Sequence, residues 1–181
     1  MKMKLLALVL GLQVAWILAT TATQEINLHS APTVLLETRP VDPRDLLRGD
    51  YVILGYKISQ LPRSLFQPAL KETPPPGQTV YVTLEPRGQF HEAVSASLQQ
   101  PPSQSGQIVI RGTTEYSWQN TRTNPTVRVH YGLERYYVAE GTGNPVGKLT
   151  VRAAVPKSGQ ATIKDVFVDG KPYRQAMREQ K

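Results

Sequence analysis

Beyond residue 24, apolar and polar side chains alternate in short runs that end at Pro, Gly, Asn or Ser. A period of two is the mark of half-buried strands. The pattern predicts strands over 33–38, 51–59, 79–84, 90–98, 107–115, 126–131, 148–155 and 161–168. Val127, Val129 and Tyr131 share one face, with Arg128 and His130 on the other. Val94, Ala96 and Leu98 oppose Ser95 and Ser97. Pro74-Pro75-Pro76-Gly77, Pro101-Pro102 and Asn124-Pro125 separate neighbouring strands. Residues 61–70 have room for a helical turn, and 131–140 fit a short helix as well as a strand. Such spacing predicts an all-β fold, mainly an antiparallel sandwich or small barrel with short helical turns. The last residues, 172–181, are polar and basic and read as a frayed tail with some helical character.

The N-terminus has a different pattern. Lys2 and Lys4 precede an apolar run from Leu5 to Ala19, which softens through Thr20-Thr21-Ala22-Thr23 and ends at Gln24-Glu25. The run is about 18 residues long, the length at which a helix just spans a bilayer. It predicts a transmembrane or signal helix. Its basic head stays inside, which places the chain beyond residue 24 outside the cytoplasm. Thr20 and Ala22 are small enough for a signal-peptidase site, so a periplasmic or secreted product cut near Ala22 is the alternative to a retained anchor. The resulting division is an anchor or signal at 1–23, an extracytoplasmic β domain at 24–173 and a basic tail at 174–181.

Composition sharpens this picture at two points. The formal charge is +7, and setting aside Lys2 and Lys4 leaves 19 basic residues against 14 acidic. The excess is scattered, without the basic stripe and interleaved aromatics that nucleic-acid binding needs, so no nucleic-acid partner is expected. There is no cysteine, which removes disulfides, thiolate metal sites and cysteine nucleophiles.

The densest local information lies at 39–51. Asp42 is suited to cap a helix, Pro43 to open it, Asp45 to return a carboxylate toward the cap and Gly49 to end it. One helical turn over 43–48 is therefore predicted, leading into a strand at Asp50. Arg39, Arg44 and Arg48 interleave with Asp42, Asp45 and Asp50, a set able to brace the turn through Arg–carboxylate pairs. In the strand, Val52, Leu54, Tyr56 and Ile58 share a face, while Tyr51, Ile53, Gly55 and Lys57 take the other.

Gly49-Asp50-Tyr51-Val52-Ile53-Leu54-Gly55-Tyr56 matches every fixed position of the pattern GDYxxLxY. The chain resembles the bacterial GDYXXLXY protein family in this octapeptide. The resemblance extends to its flank Pro40-Val41-Asp42-Pro43-Arg44-Asp45-Leu46, to Tyr131-Gly132-Leu133-Glu134-Arg135-Tyr136-Tyr137-Val138-Ala139-Glu140-Gly141, and to the N-terminal apolar segment. Ala139 departs from the proline more usual there. The resemblance implies a membrane-anchored, extracytoplasmic protein of uncharacterised function, with a multipass membrane protein as partner. It supplies no catalytic residue, metal or cofactor.

No catalytic motif is visible. Asp50, beside Arg48, Tyr51 and Tyr56, is the most open to a functional reading as a partner contact, and local pairing with Arg44 or Arg48 is the plain alternative. His29, His91 and His130 fall on separate elements and suggest no metal site. Ser95 and Ser97 share a predicted face with His91, but no nucleophile elbow is present. The expectation is a non-enzymatic accessory or assembly domain that contacts its partner through Arg44, Arg48, Gly49, Asp50, Tyr51, Leu54 and Tyr56, with Asp42 and Asp45 bracing the turn. The alternatives are an envelope-polymer hydrolase using Asp50 as acid or base, and a ligand- or glycan-binding module using Tyr116, Trp118, Tyr136 and Tyr137.

Overall fold

The computed structural model describes residues 2–39, 51–102, 104–116, 126–139 and 145–180. Helix α1 (Lys2–Ser30) contains a 20-residue apolar stretch, Lys4–Thr23, of which none is buried against the rest of the chain. Ala31 and Pro32 join it to β1 (Thr33–Arg39). The joint is fixed, because Val155 donates its amide to the Pro32 carbonyl at 2.9 Å.

The chain then forms β2 (Tyr51–Ile53), β3 (Gly55–Tyr56), a 3-10 turn (Lys57–Ser59), β4 (Gln60–Pro62) and a second 3-10 turn (Arg63–Leu65). Longer strands come next: β5 (Thr79–Arg87), β6 (Phe90–Ser97), β7 (Ile108–Glu115) and β8 (Thr126–His130). The last elements are β9 (Arg135–Tyr137), β10 (Leu149–Ala154), β11 (Thr162–Val168), β12 (Lys171–Pro172) and α2 (Tyr173–Glu179).

Two five-stranded antiparallel sheets result, ordered β12-β11-β10-β1-β3 and β4-β8-β7-β5-β6, with β2 and β9 as a separate two-stranded ribbon. Among the described residues the sheets stay open and do not close into a barrel. Val34, Leu36, Val151 and Val166 of the first meet Val80, Val82, Ile110 and Val129 of the second in one hydrophobic core. Each such side chain contributes about 1.5–3 kcal/mol through burial. The alternation read at 126–131 is present as expected: Val127, Val129 and Tyr131 are buried and Arg128 and His130 are not.

Tight turns arise from local chemistry. Asp169 and Gly170 join β11 to β12 with positive φ at both residues, 49° and 80°, the pairing an Asp-Gly hairpin turn requires. Gly112 serves a different need. A Cβ there would lie 2.5 Å from Val129 Cγ1 and 2.8 Å from the His130 carbonyl oxygen, so β8 can approach β7 this closely only over a bare backbone.

Three sequence expectations are corrected. The single strand expected over 51–59 is divided at Leu54, because β2 pairs with β9, β3 with β1 and β4 with β8. In β6 the register slips between Thr83↔Ser95 and Leu84↔Ala93, leaving Val94 as an extra residue. This bulge inverts the alternation: Ala93 and Ala96, not Val94 and Ala96, lie opposite the core residues Leu84 and Val82. Finally, the C-terminal residues expected to fray form α2, which buries Tyr173, Ala176 and Met177.

Candidate functional site

Of the residues expected to carry function, Asp42, Arg44, Asp45, Arg48, Gly49 and Asp50 lie outside the described residues, as does Trp118. Tyr51, Leu54 and Tyr56 are described, and they divide into two roles. Val52, Leu54, Tyr56 and Ile58 are buried as a common face, even though the strand breaks among them. Leu54 and Tyr56 are only 1% exposed. Both side chains hold the fold.

How they hold it is specific. The Tyr56 hydroxyl donates to the Leu133 carbonyl at 2.7 Å, and the Tyr131 hydroxyl donates to the Ile58 carbonyl at 2.7 Å. The two segments that resemble the family thus lock each other reciprocally. Burial pushes both phenols well above their ordinary pKa, with the Glu134 charge adding to the effect, so both remain protonated donors.

Glu134 organises the crossing. Its backbone carbonyl accepts the Leu54 amide at 2.8 Å, and its Oε1 accepts the Tyr131 amide at 2.7 Å. His130 Nε2 stands 3.0 Å from Oε2, close but not aligned as a hydrogen bond. His130 Nδ1 lies 3.2 Å from the Gly132 amide, which assigns it the acceptor role and puts the proton of the neutral ring on Nε2. Both ring nitrogens therefore face groups of their own chain, so His130 is occupied in holding the loop.

A cleft of about 360 Å³ opens beside this crossing, with Arg39, Gln60, Glu115, Arg128, His130 and Glu134 among its walls. Arg39 donates to Gln60 Oε1 at 2.5 Å. The other two histidines are elsewhere: His29 sits beside Glu25 on α1, and His91 Nδ1 faces the Leu35 amide at 3.2 Å. Burial lowers the His91 pKa. The bulge at Val94 also takes His91 off the face of Ser95 and Ser97, and Ser97 donates to the Gln99 carbonyl. Among the described residues, no three His, Asp or Glu side chains come together in a metal-ligating group.

On the outer side of the ribbon, Tyr51 pairs with Tyr137 and Ile53 with Arg135. The Tyr51 and Tyr137 rings meet edge to face, 5.9 Å between centres, and the Arg135 guanidinium lies 5.2 Å from the Tyr51 ring centre. Tyr137 is 71% exposed. Tyr136 points the other way, onto Tyr173 of α2 at 5.4 Å. A second cleft of about 300 Å³ lies there, between β9 and α2. Arg135, Tyr173, Arg174 and Arg178 were not singled out from sequence. The signal for them was the helical spacing of Tyr173, Ala176 and Met177, which leaves Arg174 and Arg178 together on another face.

Compared with known proteins, residues 13–166 match the family model described as GDYXXLXY protein. No curated protein and no solved structure matches the chain.

Proposed function

The chain belongs to the GDYXXLXY protein family, and from that premise we propose that it is a membrane-tethered accessory or assembly domain. In this reading the β domain stands outside the cytoplasm and partners an integral membrane protein without catalysing a reaction. The observation that carries it is α1: an apolar stretch Lys4–Thr23, unburied throughout, joined to β1 through Ala31 and Pro32, of which Pro32 is tied to the β domain. An apolar helix that its own chain leaves unburied calls for lipid. The threonines that soften its sequence support this. Thr20, Thr21 and Thr23 donate their hydroxyls to carbonyls one turn back, at 3.0, 2.8 and 2.9 Å, so none presents an unmet donor to an apolar surround.

The geometry also favours a partner in the same membrane. From Thr23 to Ser30 the helix rises only about 10 Å, at 1.5 Å per residue. A domain held that near the bilayer meets the exposed loops of membrane proteins before anything else. The outward surface of the motif, Tyr51 with Arg135 and Tyr137, has the aromatic and arginine character of interface centres.

The test is affinity purification of the full-length chain from gently solubilised membranes, comparing wild type with Asp50→Ala and Tyr51→Ala. The expected result is a specific integral membrane protein, identified by mass spectrometry and lost in variants whose circular dichroism is unchanged. Recovery of the protein in the soluble fraction, with its N-terminus past Ala22 and no membrane partner, would overturn the reading.

A further inference from the structure

The cleft between β9 and α2 combines three features that the fold itself does not require. First, four consecutive residues, 136–139, line it. Tyr136 and Tyr137 close β9, and Val138 and Ala139 continue the cleft wall beyond it. Among the described residues, β9 is hydrogen-bonded to β2 and to no other strand. Second, Arg174 and Arg178 stand on the same wall one helical turn apart, both exposed. The acid at the end of α2, Glu179, is engaged by Lys171 and Gln175, and neither arginine has a carboxylate partner among the described residues. Third, Tyr173 also lines the cleft; it is 4% exposed, yet its hydroxyl has no hydrogen-bond partner among the described residues. Leaving a buried hydroxyl unpaired costs about 1–3 kcal/mol, which a ligand acceptor would recover.

A strand edge takes an extended peptide by strand addition. Paired guanidiniums take carboxylates. We propose that this cleft binds an extended acidic segment of a protein partner. Its backbone runs along β9, its carboxylates meet Arg174 and Arg178, and one of its oxygens accepts from the Tyr173 hydroxyl. Met177 and Tyr136 supply the apolar floor for the alternate side chains.

The position favours protein over lipid. β1 leaves the helix at Thr33 and ends at Arg39, roughly 20 Å farther on at about 3.3 Å per residue. Register carries this end across the sheet through Glu37↔Thr150, Thr150↔Phe167 and Phe167↔Pro172 to the start of α2. The cleft is thus at the end of the sheet remote from the membrane junction. The assignment rests on the accessory reading and names the partner's chemistry.

The experiment uses full-length protein in nanodiscs of zwitterionic lipid and fluorescence anisotropy with a blocked, labelled peptide of alternating aspartate and leucine. A peptide of alternating asparagine and leucine is the control. The acidic peptide should bind and the control should not. Arg174→Gln and Arg178→Gln, both at exposed positions, should each weaken binding about ten-fold, the scale of one charge-assisted hydrogen bond. Tyr173→Phe should weaken it several-fold. Equal binding of both peptides, absence of acidic-peptide binding, or acidic binding indifferent to the arginines would each overturn the proposal. Arginine-dependent binding to phosphatidylglycerol vesicles without peptide binding would overturn it in favour of a lipid surface. Copurification of a membrane protein without peptide binding would sink this site and leave the accessory reading standing. Peptide binding without copurification would do the reverse.

Discussion

Tyr56 and Tyr131 each bond to the other's segment: Tyr56 reaches the Leu133 carbonyl and Tyr131 the Ile58 carbonyl, both at 2.7 Å. The last fixed tyrosine of the motif is therefore half of a two-way lock where the chain passes from one sheet to the other. Removing either hydroxyl leaves a buried carbonyl with its partner gone, at a cost of about 1–3 kcal/mol. Tyr56→Phe and Tyr131→Phe are predicted to lower the thermal unfolding midpoint of the full-length protein, read by near-ultraviolet circular dichroism. The double variant should deviate from additivity, since both bonds close the same crossing. Unchanged midpoints in both single variants would show that the lock carries no stability.

Acid sensitivity arises in two pH ranges, the lower governed by Glu37 together with Glu179, which Lys171 holds below its usual value, and the higher by His91. The Glu37 carboxylate lies 2.7 Å from Lys148 Nζ and 2.9 Å from Lys57 Nζ, and these ammonium groups, Lys148 first, hold its pKa below the usual 4.5. A depressed carboxyl pKa means the unfolded state binds the proton more readily. Its contribution is complete above about 4.5 and is lost as pH falls through the folded value. His91 is held below its usual 6.5 by burial, so its unfolded form charges first and stability declines as pH falls below about 6.5. Denaturation midpoints measured across pH should fall in two stages. Glu37→Gln should flatten only the lower stage. Loss of both stages in that variant would contradict the assignment.

The strands were largely legible because a two-residue period is a local property. Val127, Val129 and Tyr131 show it, and so does the buried face Val52, Leu54, Tyr56 and Ile58, which survives the break in the strand. The break itself was not legible. Leu54 is where the chain changes partner from β9 to β1, and the partners lie far away in sequence. β9 stayed ambiguous between helix and strand because three residues are too few to show a period. The bulge at Val94 is set by its pairing with β5, so the run of alternating residues there suggested the wrong face. Among the candidate site residues, sequence located the motif but not its division of labour. Nothing local says that Leu54 and Tyr56 turn inward against Glu134 while Tyr51 stays with Arg135.

The C-terminal helix shows why composition misleads at a chain end. Its polar and basic residues suggested a loose tail, yet Tyr173 and Met177 are 4% and 5% exposed, and Gln180 ties the helix to Val146 through two hydrogen bonds of 3.2 and 2.8 Å. Met177→Ala should cost roughly 2 kcal/mol or more, as for other buried large-to-small changes. Truncation before Tyr173 should destabilise further, since it uncovers the Tyr136 ring as well. Amide hydrogen exchange gives the direct check: α2 should exchange as slowly as β11, against which it packs. Rapid exchange across the helix would restore the picture of a frayed tail.

The last prediction concerns α1, where sequence alone left anchor and cleaved signal open. Retention requires that the apolar stretch be long enough, that its hydroxyls be satisfied and that its joint to the β domain be ordered. Lys4–Thr23 meets the first condition and the threonine hydrogen bonds meet the second. The third is met by the helix running on to Ser30, past the point at Ala22 where a peptidase would cut, because peptidases act on extended and not helical backbone. Mass spectrometry of the mature protein should therefore find residues 2–22 still attached, and the chain should stay in the membrane pellet after carbonate washing. Replacing Thr21 with proline would interrupt the helix at that point and leave Thr20 and Ala22 in place, because proline removes an amide and clashes with the preceding turn. Cleavage should then appear in the variant and not in the wild type. Complete cleavage of the wild type would instead make α1 a signal peptide, and the β domain would reach any membrane partner by affinity alone.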